Sequence, residues 1–158
     1  MKRQNILLTL LILLTGSCVS DMPIEIKICE TLHKDNAETS LVLFISEGSC
    51  AECINVEFQN LAANGELIDS LIVVGAFSKR RYFDACVNSI AFNKPLKKIF
   101  IDRSELEGVK LKASLFYFVY RKSSDYSNAF SDVFYPDVCM QDLTVKYYLS
   151  VRDKISGN

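Results

Sequence analysis

The chain has no tryptophan, one histidine, three prolines and six glycines in 158 residues. A single histidine, His33, leaves hydrolysis by a Ser-His-Asp arrangement poorly supported. The few glycines form no Gly-x-Ser-x-Gly elbow and no phosphate-cradling loop. Excess charge of one sign is also missing, with 18 basic against 19 acidic residues and a net charge of −1. That balance excludes a basic nucleic-acid-binding surface. Asp84, Asp125, Asp132 and Asp137 lack the spacing of a metal loop. There is no internal repeat and no low-complexity segment.

Six cysteines are present, and two of them stand as Cys50-Ala51-Glu52-Cys53. The pair follows the apolar run 41–45, which reads as a strand. It precedes a helix-compatible stretch, 54–63. A thiol in the first turn of a helix feels the positive end of the helix dipole, which favours the nucleophilic thiolate. Two intervening residues let both sulfurs meet in one small ring. Strand, Cys-x-x-Cys, helix is the layout of a redox-active dithiol on an α/β scaffold.

The first residues read as an export signal. Lys2 and Arg3 give a positive start, residues 6–14 are apolar apart from Thr9, and Thr15, Gly16 and Ser17 are small. The stretch is shorter than the ~20 apolar residues of a membrane span. The ending Leu14-Thr15-Gly16-Ser17-Cys18 resembles a bacterial lipobox, which implies a lipidated Cys18 as the first residue of the mature chain. An ordinary signal peptide is the alternative. Without Lys2 and Arg3 the 18 basic residues fall to 16 against 19 acidic, a net charge near −3. About 140 residues remain, enough for one domain with a real core. Among Cys29, Cys86 and Cys139 at most one further bridge can form, and each also suits burial as a small hydrophobe.

Periodicity gives the order of elements. Residues 18–23 read as a lipidated tether, and 24–158 as the domain. Residues 24–28 alternate apolar and charged, the period of an edge strand. Residues 30–38 suit a short helix or loop carrying an exposed His33. Residues 40–46 suit a central strand buried on both faces. In the next helix Ile54, Phe58, Leu61 and Ala62 form the apolar side, with Asn55, Glu57 and Asn60 on the other faces. A strand within 67–77 and a helix over 81–92 follow. Residues 98–102 suggest an extra strand. Ser104 and Glu107 suggest a capping box for one helical turn. Residues 114–120 and 129–135 read as a hairpin, with its aromatic cluster in the core, and 141–155 as a closing amphipathic helix. Strands alternating with helices, closed by a hairpin and helix, predict an α/β class with a mixed sheet and helices on both faces.

In this order and in the segment 41–63 the chain resembles the thioredoxin superfamily. The resemblance implies a thioredoxin-like three-layer α/β/α fold with a mixed central sheet. It implies Cys50 as the nucleophile toward a client disulfide and Cys53 as the resolving thiol. Glu52 is a candidate proton acceptor for Cys53, or a solvent-facing acid that only favours the dipole. With the export signal the chain looks like the thioredoxin-like lipoproteins of Bacteroidetes-type bacteria. That implies anchoring through Cys18 in the cell envelope, facing periplasm or exterior, with client thiols or disulfides as partners and no cofactor. Two family features are absent. Ser49 stands where an aromatic residue precedes the first cysteine, and Lys112-Ala113-Ser114 stands where a cis-proline opens the hairpin. A non-proline cis bond costs ~3 kcal/mol, so a trans peptide is expected there.

Glu47, Glu52 and Glu57 surround the pair, and no cation lies within 47–59. These acids disfavour the thiolate and predict a mild, relatively reducing dithiol. One Cys-x-x-Cys gives two of the four ligands of a closed zinc site, so Cys86, Cys139 or His33 would have to converge on it. The alternative function is a non-catalytic thioredoxin-fold module, its Cys-x-x-Cys a structural disulfide and its surface a binding face for a partner protein.

Overall fold

The computed structural model describes residues 22–156. The export signal expected over 1–17 and the lipidation expected at Cys18 lie outside the described residues. The elements are β1 (Met22–Pro23), α1 (Ile24–Lys34), β2 (Ser40–Ser46), α2 (Ala51–Asn64), β3 (Leu71–Phe77), α3 (Arg80–Val87), β4 (Leu96–Asp102), β5 (Val109–Lys110), β6 (Leu115–Tyr120), β7 (Phe130–Phe134) and α4 (Gln141–Ile155).

Five strands form one mixed sheet in the order β4-β3-β2-β6-β7. β3 is parallel to β2 and β4 to β3, whereas β6 is antiparallel to β2 and β7 to β6. β2 and β3 are buried along their whole length, as their unbroken apolar sequences require. Leu41, Leu43 and Ile45 face a core closed by α2, α3 and α4, through Phe58, Phe83 and Tyr148 among others. Val42 and Phe44 face the opposite core, closed by Ile24, Ile28 and Leu32 of α1. The result is a three-layer α/β/α fold with a mixed central sheet, compatible with a thioredoxin-like arrangement.

Several elements depart from the expectation. Residues 24–28 are not an edge strand but the start of α1. Their two-residue alternation also fits a helix once Cys29 and Leu32 are included, and Ile24, Ile28, Cys29 and Leu32 are all fully buried. The two edges of the sheet are filled by β4 and β7 instead. The folded part reaches back to Met22 and Pro23, which pair in parallel with Val109 and Lys110. α3 ends at Val87, not near Phe92, because Ile90 and Phe92 pack on the core from outside the helix. The capping box is shifted by two residues. Asp102 accepts the Ser104 N–H at 2.9 Å, and Glu105 accepts the Asp102 N–H at 3.3 Å.

Among the described glycines Gly75 is the one whose side chain would meet the tightest contact. A Cβ there would stand 2.1 Å from the ring of Phe83. α3 therefore lies directly over the middle of β3, and only glycine lets that aromatic approach.

Candidate functional site

β2 ends at Ser46 and the chain turns sharply before α2. The Ser49 N–H donates to the Ser46 carbonyl at 2.9 Å, and the Glu47 N–H to the Ala76 carbonyl of β3 at 3.0 Å. Ser49, where an aromatic was absent, fastens this turn. Its hydroxyl accepts the Ser46 N–H at 3.1 Å and donates to the Ser114 carbonyl at 2.5 Å. The motif loop and the 112–114 segment are thus tied by one hydroxyl. Among the described residues no peptide bond is cis.

Cys50 is the N-cap of α2, in extended backbone at φ −62° and ψ 128°. Its sulfur accepts the Cys53 N–H at 3.3 Å, the place a serine or aspartate oxygen usually takes. Cys50 is exposed and Cys53 half-buried, and both are free thiols. The contact with the Cys53 thiol, with help from the Cys53 and Glu52 backbone N–H groups, holds the Cys50 thiol below its ordinary value. The same contact pushes Cys53 up, with desolvation adding to it. The two sulfurs share one proton unequally, and the outer one is the better thiolate.

Of the three acids expected to oppose this, only Glu52 acts on Cys50, and more weakly than the hydrogen bonds. The Glu47 carboxylate is turned away. It accepts the Ser78 N–H at 3.0 Å and the Ser78 hydroxyl at 2.9 Å, with the Arg103 guanidinium at 3.9 Å. Glu57 is not on an outer face but is 1 % exposed. The Cys53 thiol first, and then the backbone N–H groups at the start of α2, outweigh the one acid that acts on Cys50. Glu52 itself is exposed in the first turn of α2.

Glu57 and its partners were missed by sequence reasoning. Its carboxyl accepts the Tyr117 hydroxyl at 3.0 Å, the Asn60 amide at 3.2 Å and the Thr144 hydroxyl at 3.3 Å. Tyr117 and Tyr148 are joined oxygen to oxygen at 2.9 Å. Burial raises the Glu57 carboxyl above the usual carboxylate value, its three donors only partly offsetting this. The signal was in the spacing: Cys53, Glu57 and Leu61 lie on one helical stripe, and Leu61 is core. α2 packs against α4 as well as the sheet, so its buried side is wider than the sequence suggested, while Ala62 is exposed.

No known protein-family model and no curated protein matches the chain.

The remaining thiols stand apart. Cys29, on the inner face of α1, is fully buried, and burial first, then Glu25, pushes it up to about 12. Cys86 packs on the opposite face of the sheet and is raised by burial. The sheet between them prevents a bridge. Cys139 is exposed just before α4. His33 is half-buried rather than exposed, its ring edge-on to Tyr126 at 5.6 Å. Among the described residues no group of three His, Cys, Asp or Glu side chains is placed to hold a metal ion.

Proposed function

We propose that the protein is an exported, membrane-tethered thiol–disulfide oxidoreductase, anchored through Cys18 and acting through Cys50 and Cys53. The observation that carries this reading is the Cys50 thiol, exposed at the N-cap of α2 and held below its ordinary value beside a raised Cys53.

The Cys50 thiolate attacks one sulfur of a client disulfide. The client's other sulfur leaves as thiolate, and Cys50 is joined to the client. Once Cys50 is so joined its negative charge is gone, and the main influence raising Cys53 disappears. Cys53 then loses its proton more easily, attacks the Cys50 sulfur and releases the second client thiolate. Two electrons pass to the client and a Cys50–Cys53 disulfide remains, for an external dithiol to reduce. Glu52, exposed one residue before Cys53, is available as a proton acceptor in contact with solvent.

A second reading, a non-catalytic thioredoxin-fold module that binds a partner protein, has one observation in its favour. The Ser49 link to Ser114 closes the motif loop where family members carry an aromatic and a proline. Titration of the soluble domain in a thiol redox buffer, read by mass, separates the two. Reversible loss of two hydrogens at Cys50 and Cys53, with mixed disulfides trapped in Cys53→Ser, is expected. A Cys50 that stays unreactive after reduction, with Cys50→Ser melting far lower, would leave only the structural role.

A further inference from the structure

We propose that the domain is held with its Cys50 end against the bilayer, so that thiols and disulfides of membrane proteins at the lipid surface are its accessible partners. This rests on the lipidation of Cys18 in the function proposed above and adds an orientation to it.

The first observation is where the chain enters the fold. β1 pairs with β5, and the residues after β5 run directly to the site. Leu111, Lys112, Ala113 and Ser114 share a cleft of about 540 Å³ with Ser46, Glu47 and Gly48, the turn that leads into Cys50. From β1 the chain leaves this end along α1. It arrives at Asp35, whose carboxylate is 2.6 Å from Lys97 at the start of β4. Lys97 is in register with Ile72 near the start of β3, so that is the far end of the sheet. The entry point and the dithiol therefore share the end where β2 and β3 finish.

The second observation is the length of chain available. Three residues, 19–21, separate Cys18 from Met22. Four Cα steps reach at most ~14 Å even when fully extended. A domain of this size has a radius of gyration of roughly 14 Å and is about 35 Å across. The tether is thus too short to swing the entry end away from the lipid and bring another end to it.

The third observation is the distribution of exposed apolar side chains. Seven large ones are exposed among the described residues. Six of them gather at this end: Met22, Tyr82, Leu111, Tyr135, Met140 and Leu143. Met22 and Leu111 belong to the β1–β5 pair and its continuation, and Tyr135 lies 5.9 Å from Phe116 near the start of β6. Tyr82 is in the first turn of α3, which follows the end of β3. Met140 and Leu143 precede Thr144, which bonds Glu57 one turn beyond Cys53. Only Leu149 lies elsewhere, on the flank of α4. These six side chains, two of them tyrosines, stand beside the exposed charges of Glu52, Arg103 and Lys112, a mixture that suits the water–lipid interface.

The test uses the full chain in vesicles of phosphatidylethanolamine and phosphatidylglycerol, reduced and alkylated with either iodoacetamide or a bulky polymer maleimide. A variant carries about 20 Gly/Ser residues between Ser20 and Asp21, which adds about 25 Å of root-mean-square reach. Glu38→Cys supplies a reference thiol at the far end. Labelling of each cysteine is read by peptide mass. Iodoacetamide is expected to reach Cys50 in both forms. The bulky reagent is expected to label Cys50 at least tenfold more slowly with the natural tether than with the long one, and the thiol introduced by Glu38→Cys equally in both. Equal bulky labelling of Cys50 with either tether would overturn the orientation. A Cys18 without lipid by intact mass would also overturn it, leaving the redox chemistry, measured on the soluble domain, untouched. A shielded but redox-inert pair would remove the proposed function and leave the orientation standing.

Discussion

Five described cysteines differ only in what surrounds each sulfur. Cys50 has the Cys53 thiol and backbone donors, Cys29 has burial and a carboxyl, and Cys86 has burial alone. Glu52 is the one acid whose charge opposes the Cys50 thiolate. Glu52→Gln is expected to move the Cys50 titration to lower pH, while Glu47→Gln, whose carboxylate is tied to Ser78, leaves it in place. Ultraviolet thiolate absorbance across a pH series measures both. Glu57 makes a separate prediction. Its folded value is raised, so its contribution is fully present below the unfolded value of about 4.3 and is lost as pH rises through the folded value. Urea unfolding should show stability falling over that window in the natural protein and a flatter profile in Glu57→Gln. Glu57→Ala should cost about 2–4 kcal/mol, because Tyr117, Thr144 and Asn60 lose a buried acceptor.

At the scale of elements, Gly75 sets how closely α3 lies on β3. Gly75→Ala is expected to destabilise by about 1–3 kcal/mol, as overpacking against the Phe83 ring does, and Gly75→Ala with Phe83→Leu should recover part of that in thermal melts. β2, β3 and β6 were legible because they are buried on both faces and almost wholly apolar, whereas the two-residue pair β1 and β5 was not. The closing helix was legible in its bounds, which match 141–155, but not in its inner face: Thr144, Tyr147, Tyr148, Val151 and Ile155 are buried, whereas Leu149 is exposed. α1 was not legible, since five alternating residues fit both periods and only the later Leu32 decides between them. The bulge in β7 was hidden too. Asp132 takes φ 55°, a backbone aspartate tolerates, and is pinned there by Lys154 at 2.5 Å and by the Tyr147 hydroxyl on its carbonyl at 2.7 Å. Those partners come from α4, well beyond β7 in the chain. Of the site, Cys50 and Cys53 were readable from spacing. The Ser49–Ser114 link and the Glu57 network join residues 65 and 60 positions apart, which spacing does not encode.

At the scale of the molecule, the sheet separates two chemically different cores. One carries the Cys-x-x-Cys helix with the Glu57 network, and the other buries Cys29 on the inner face of α1. Among the described residues no helix is long and apolar enough to cross a membrane, and the attachment proposed is through Cys18. The lowered Cys50 value also couples chemistry to folding. A depressed thiol adds stability that is present above its unfolded value and is lost as pH falls through its folded value. Reduced natural protein should therefore gain stability over Cys50→Ser as pH rises across that window, as denaturant midpoints of the two will report. The most direct measurement is mass-resolved alkylation of the fully reduced protein over a pH series. Cys50 is predicted to react first at neutral pH, ahead of Cys139, which is also exposed, with a midpoint below that of an ordinary thiol. A Cys50 that reacts no faster than Cys139, or with a midpoint at or above the ordinary value, would contradict the account.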